Sequence, residues 1–281
     1  LPIVETTSNK VRLNQLLENV PGIVGRIARW IGETAKYPFP GLEFAAASVA
    51  VGVAMGHKYC SETDVRTNIY ITGFAGASSG KDHARKCISK LFDTVGEQEL
   101  EIGVPKSGSG LRSSIKKTCK GMILWDEIGL RFQGIGGHSA GSHQLEIFEL
   151  LMQAYTSSDG RLIGEQYANR DGTMAREDIY QPCLGIYGTS TKESFYDAMN
   201  SKLALNGFIP RWMVVEDNLP YRLGRHITTD KNPPESLVEE FKTLCEKPLM
   251  YLDKGNNDYL RDHNPIVIPF DDDARELMAQ F

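Results

Sequence analysis

The sequence predicts an α/β fold with a central, mainly parallel sheet, an N-terminal helical region and a C-terminal lid or linker. Two observations predict the sheet. Short strand-like segments alternate with segments of helical period, and those strands are apolar along their length, as strands covered on both faces are. A third observation sets the scale: with 281 residues, 41% of them hydrophobic, the chain can bury a core large enough for one domain with an appendage.

Residues 11–56 read as helical, with Ile23, Ile27, Trp30 and Ile31 on one face and with Pro38 and Pro40 breaking the region once. The longest apolar stretch, 41–56, contains Glu43 and falls short of the roughly 20 residues that cross a bilayer, so it reads as a buried helix. From Asn68 the character changes. Residues 69–72 are β-branched or aromatic and run into Gly73, the mark of a buried strand entering a turn, and a helix is expected over 80–92. Further strands are expected at 122–125, 183–187 and 212–215, with helices at 145–155 and 192–204. Residues 160–182, with short apolar runs either side of Asn169, Asp171 and Gly172, read as a β-hairpin. Beyond 218 the sequence turns polar. The expected organisation is therefore a helical region at 1–64, a core at 65–218 and a lid or linker at 219–281. The closing segment, DDDARELMAQF, places acidic residues before a helical pattern, and with no Met at the start the chain reads as part of a longer protein.

A formal charge of -5 argues against a surface coated non-specifically in nucleic acid, so any such contact must be local. The five cysteines, Cys60, Cys87, Cys119, Cys183 and Cys245, are scattered and lack C-x-x-C spacing, which suggests neither a disulfide framework nor a zinc site and fits a reducing cytoplasm. No charged-then-apolar leader and no membrane span are read.

The chemistry is concentrated in AGASSGKD, residues 75–82, directly after a strand and directly before a helix. In that setting Gly76, Ala77, Ser78, Ser79 and Gly80 are small enough for backbone N–H groups to close around phosphates. The helix N-terminus favours negative charge, and Lys81 reaches the terminal phosphates. This is the pattern of a P-loop, with two departures: Ala75 stands where a Gly is usual, and Asp82 where a hydroxyl residue ordinarily holds magnesium. A carboxylate at 82 can still ligate Mg2+, but it brings negative charge towards the phosphates, so slow hydrolysis is expected. The plain alternative is a Gly/Ser-rich turn with an exposed lysine.

A second element argues against that alternative. The apolar run 122–125 ends in Asp126 and Glu127, 45 residues after Lys81. Strand alternation would point the two acids in opposite directions, Asp126 towards magnesium and Glu127 towards the attacking water. The strand at 183–187 ends in Gly188, Thr189, Ser190 and Thr191; Thr189 or Ser190 can sense the γ-phosphate, or one of the hydroxyls can cap the following helix. Arg211, in GFIPR, is the candidate for stabilising charge developed during phosphoryl transfer, the alternative being a salt bridge at a strand start.

These segments resemble an uncharacterised P-loop ATPase domain family of phage, plasmid and integrated-element replication proteins, often attached to primase–polymerase modules. The resemblance covers PGIVGRIARWI at 21–31, RTNIYITGFAG at 66–76, MILWDE at 122–127, IYQPCLGIYGTST at 179–191 and NGFIPRWMVVE at 206–216. It implies a RecA-like or AAA+ ATPase that uses ATP and Mg2+, acts on single-stranded DNA as a helicase or replication initiator, and assembles as a homo-oligomer, with a hexameric ring and a linked primase module both conceivable. Carried over, Lys81 and Asp82 match the loop end, Asp126 and Glu127 the acidic pair, and Arg211 the arginine of the G-F-x-x-R stretch, which can act within a subunit or, in an oligomeric motor, across the subunit boundary. A switch or helicase loader with weak hydrolysis is the second reading. A small-molecule phosphotransferase is disfavoured, because no arginine-rich lid follows the acidic strand.

Two segments are candidates for DNA contact. Residues 133–143, QGIGGHSAGSH, read as a flexible Gly-rich loop whose His138 and His143 can face a channel; without acids or cysteines around them they do not suggest a metal. The hairpin carries Arg161, Arg170 and Arg176, which would place positive charge on a protruding element ahead of the sensor strand.

Overall fold

The structure is a computed structural model. It describes residues 17, 19–77, 79–136, 142–164, 167–168, 174–175, 177–198, 207–216, 224, 231–246 and 257–279. Ser78, His138, Arg170 and Arg176 lie outside the described residues, as does the side chain of His143.

Helix α1 (Gly22–Thr34) and helix α2 (Pro40–Met55) open the described chain, followed by β1 (Tyr59–Ser61), β2 (Tyr70–Phe74) and α3 (Asp82–Val95). Next come β3 (Glu101–Ile102), α4 (Gly108–Thr118), β4 (Lys120–Trp125), α5 (Ile128–Gly136) and α6 (Ser142–Thr156). The hairpin region contributes β5 (Arg161–Leu162), β6 (Tyr167–Ala168), β7 (Met174–Ala175) and β8 (Ile179–Tyr180). It leads into β9 (Cys183–Ser190), α7 (Lys192–Ala198) and β10 (Trp212–Glu216). Helix α8 (Glu235–Cys245), β11 (Ile266–Ile268) and α9 (Asp272–Met278) follow.

Five strands form one sheet in the order β10-β2-β9-β4-β3, and every neighbouring pair is parallel. Strand alternation sorts the core into two layers. Tyr70, Phe74, Ile123, Trp125, Leu184 and Ile186 face a cluster shared with α4 to α7. Ile71, Met122, Leu124 and Tyr187 face a second cluster shared with α1, α2, α3 and α8. The division follows from connectivity: from β2 the chain moves through α3 towards the far edge at β3, whereas β3, β4 and β9 connect in the opposite direction. Right-handed crossovers then put α3 on one face and the later helices on the other. The adjacent ends of β2 and β9 are therefore a topological switch point, where an open crevice forms beyond the carboxyl ends of the strands.

Helix α2 is apolar all round, as a helix with no solvent face must be, and is buried from Gly41 to Ala54 at all but two positions. It packs directly on the sheet through missing side chains. A Cβ at Gly185 would stand 2.6 Å from Val53 Cγ2 and 2.8 Å from Val49 Cγ1, and one at Gly73 would stand 2.8 Å from Leu42 Cγ. The opposite layer is aromatic: Phe132 lies 5.4 to 5.6 Å from the rings of Phe148, Phe195, Phe208 and Trp212, mostly edge-on.

Elements of the first and third expected segments join this core. Helices α1 and α2 form one layer with α3 and α8, and β11 pairs in parallel with β1. The predicted lid or linker contains an amphipathic helix, α8, that buries Leu237, Phe241 and Cys245. At 271–279 the acidic start is a helix cap, since Asp271 accepts from the Ala274 amide at 2.8 Å. The Gly-rich segment at 133–143 differs from expectation at its two ends, where 133–136 continue helix α5 and 142 begins α6, both anchored through Phe132, Ile147 and Phe148; residues 137–141 lie outside the described residues. All five cysteines are buried and free. Among the described residues no helix is long and apolar enough to cross a membrane.

A polar knot joins the C-terminal segment to the amino end of the sheet. His57 Nε2 lies 3.1 Å from the Cys119 carbonyl oxygen, and the Gln181 amide donates to the carbonyls of Leu260 and His263. Burial, aided by the nearby Lys120 charge, lowers the His57 pKa to about 3. The folded protein thus holds this ring neutral while the unfolded chain takes up a proton below pH 6.5, so stability falls as pH drops from 6.5 towards 3. The expected loss from this group is about 2 kcal/mol at pH 5, measurable by urea denaturation at pH 7 and pH 5. His57→Gln should flatten that difference, and an unchanged pH dependence in the variant would contradict the assignment.

Candidate functional site

Strand β2 ends at Phe74 and the chain turns into the loop 75–81 before α3 begins at Asp82. The loop is tied to the sheet by the Ala75 amide, which donates to the Ser190 carbonyl at 3.2 Å, and is closed by the Ser79 amide donating to the Gly76 carbonyl at 3.3 Å. Ala75 is buried against the sheet, so the methyl at this position is accommodated. Gly80 is the position whose backbone demands glycine: its φ is +92°, and Tyr37, from the α1–α2 connection, packs 3.4 Å from where a Cβ would stand. Lys81 caps α3 in helical conformation and turns inwards, with 8% of its surface exposed.

Lys81 Nζ donates to Glu127 Oε1. The acidic pair approaches the loop by a route other than the one strand alternation predicts. Strand β4 stops at Trp125, and Glu127 takes a left-handed conformation with φ +46°, which swings its carboxylate towards Lys81 instead of away from Asp126. An L-residue in this region costs about 1 kcal/mol, and the pair with Lys81 holds it there. Asp126 Oδ1 accepts from the Glu127 amide at 2.9 Å and from Thr189 Oγ1 at 3.1 Å. Of the two hydroxyls proposed as sensor, Thr189 is therefore the one joined to the acids. Ser190 Oγ is buried and pointed at α5, 2.6 Å from where a Cβ at Gly129 would stand.

Asp82 sits at the first position of α3 with its carboxylate turned to the same region. Arg85, one turn on, brings Nη2 to 3.8 Å from Asp82 Oδ1 and 3.9 Å from Asp126 Oδ2. Sequence reasoning missed Arg85. Its signal was the i,i+3 spacing from Asp82 on a helix, which pairs opposite charges but does not say that Asp126 lies across from both. Lys81, Asp82, Asp126, Glu127 and Thr189 are thus gathered at the carboxyl ends of β2, β9 and β4.

Arg211 and Arg161 lie elsewhere. Strand β10 runs parallel to β2 with Trp212 opposite Tyr70, so Arg211 stands at the amino end of the sheet, away from Lys81. There Nη1 donates to the Gly207 carbonyl and the guanidinium lies 6.0 Å from the Tyr155 ring centroid. Within one chain it does not reach the acidic pair. The hairpin forms as expected, with Arg161 opposite Tyr180 and Ala168 opposite Met174. The register shifts by one residue between these ladders, beside Gly164, where a Cβ would stand 2.3 Å from the Glu177 carbonyl oxygen. Arg161 pairs with Asp178 at 3.2 Å while keeping about half its side chain exposed.

As to chemistry, the converging groups suit a polyphosphate: a buried ammonium at a helix start, small loop residues and carboxylates at strand ends. Among the described residues no group of three or more His, Cys, Asp or Glu is placed to hold a metal ion, so a divalent cation here would rest on two carboxylates. Asp82 and Asp126 are close enough to share one guanidinium, and Mg2+ is commonly held by one or two carboxylates plus waters and phosphate oxygens. No protein-family model and no curated protein sequence matches this chain.

Proposed function

We propose that the chain is an ATP-hydrolysing domain of the P-loop NTPase plan, RecA-like or AAA+, and serves as the motor of a mobile-element DNA-replication protein. The observation that carries the reading is the convergence of Lys81, Asp126, Glu127 and Thr189 at the carboxyl ends of β2, β9 and β4, beyond the switch point between β2 and β9. In this reading the amides of Gly76, Ala77 and Gly80 together with Lys81 cradle the phosphates, and Glu127 polarises the attacking water once Lys81 leaves it for the nucleotide. Thr189 holds Asp126 oriented through its hydrogen bond. Mg2+ held near Asp82 and Asp126 would neutralise charge developing on the phosphates.

Two features support the DNA and ring elements of the proposal. The hairpin that leads into β9 carries Arg161 on a partly exposed arm, suited to the backbone of single-stranded DNA. Strand β10 is an edge strand with Met213 and Val214 exposed, next to Arg211; docking of that edge on a second copy would let Arg211 act in a neighbour's site. A bacterial host cytoplasm and a linked primase module belong to the same reading. A switch or loader with weak hydrolysis is favoured by one observation, the extra carboxylate of Asp82 at the loop end.

The test is steady-state ATP hydrolysis with and without single-stranded oligonucleotide, for the wild type and Arg161→Ala. A motor is expected to be stimulated several-fold by DNA, with the stimulation reduced in Arg161→Ala and the basal rate kept. ATP uptake without turnover would support the switch, and absence of both would end the proposal.

A further inference from the structure

The charges around the loop are paired with one another, and one pairing is looser than the rest. Lys81 donates directly to Glu127 and Thr189 directly to Asp126, whereas Arg85 lies 3.8 and 3.9 Å from Asp82 and Asp126, beyond hydrogen-bond reach. Arg85 Nε is buried and makes no hydrogen bond, and 27% of the side chain is exposed. A buried guanidinium donor without an acceptor is costly, so this side chain is held mainly by charge, with Nη2 placed between the two carboxylates. Lys81 and Arg85 carry two positive charges against the three of Asp82, Asp126 and Glu127. Without Arg85 two negative charges would remain uncompensated where a triphosphate is to enter.

We propose that Arg85 is a built-in counter-cation, compensating for the carboxylate that Asp82 places at the loop end. It keeps the site receptive to a nucleoside triphosphate before any metal arrives, and it competes with divalent cations for Asp82 and Asp126. Nucleotide uptake is then nearly independent of Mg2+, which turnover alone requires. The inference rests on the nucleotide-binding reading of the same site, and Arg85 is a positioning residue in it: its charge acts through the two carboxylates.

The test uses the whole chain and two probes. Fluorescent N-methylanthraniloyl-ATP is titrated in EDTA and in excess Mg2+, and Mn2+ without nucleotide is titrated by electron paramagnetic resonance. For the wild type the two nucleotide affinities should agree within about threefold. Arg85→Ala should weaken binding in EDTA by about tenfold, leave binding in Mg2+ within about threefold, and tighten Mn2+ binding by about tenfold, each tenfold corresponding to about 1.4 kcal/mol. Arg85→Lys, which keeps a charge, should restore most of the metal-free binding. Equal weakening in both media, or no change in Mn2+ affinity, would overturn the role given to Arg85. If the wild type takes up no nucleotide in either medium, the underlying site reading falls instead. Thermal melts of both variants distinguish loss of fold from loss of charge.

Discussion

Glu127→Gln is expected to lower the rate of ATP hydrolysis by roughly 10²–10⁴-fold while leaving ATP binding intact or tighter. Glutamine keeps the volume and one carbonyl oxygen but cannot draw a proton from water. It also cannot hold Lys81 as an ion pair, and the ammonium that Glu127 occupies becomes available to phosphates. The two effects have opposite signs, which separates this substitution from simple damage to the site. Phosphate release measured beside an equilibrium nucleotide titration checks both. Equal loss of binding and turnover would show that Glu127 acts only as a structural partner of Lys81, and unchanged turnover would remove it from the chemistry.

Gly185→Val should destabilise the fold by about 3 kcal/mol or more, beyond the ordinary range for overpacking. The position lies on the sheet face beneath α2, where even a methyl would stand 2.6 Å from Val53 Cγ2 and 2.8 Å from Val49 Cγ1. Relief requires α2 to lift away, and α2 also packs Leu42 over Gly73 on the strand that feeds the loop. Urea denaturation gives the stability change, and nucleotide binding of the folded fraction should fall with it. A change below 1 kcal/mol would show that α2 is not seated on the sheet as described.

Much of this arrangement was legible in the sequence because its signals are local. The strands read at 69–72, 122–125, 183–187 and 212–215 are dominated by apolar and β-branched residues, and the loop 75–82 is set between a strand and a helix by its own residues. The hairpin at 161–180 was legible from short apolar runs around turn residues. What was not legible depends on tertiary placement. Glu127 reaches Lys81 through a left-handed backbone that strand periodicity does not foresee, and Arg85 gains its second partner only when β4 lies across from α3. Helix α4 was unread because GSGLRSSIKKT is poor in helix formers; it is fixed by Ser107 capping the Gly110 amide and by burial of Leu111 and Ile115. Strand β3 has two residues and β11 three exposed ones, too few for any period to register.

The most direct measurement of the central claim is calorimetric titration of the wild type and Lys81→Ala with ATP and Mg2+. A buried ammonium at the head of α3, paired with the strand-end carboxylate of Glu127, predicts uptake of one ATP per chain by the wild type and a loss of affinity of about 100-fold or more in the variant. Absence of uptake by the wild type, or equal affinity in the two proteins, would contradict the claim that Lys81 and the Asp126–Glu127 pair form a single nucleotide site.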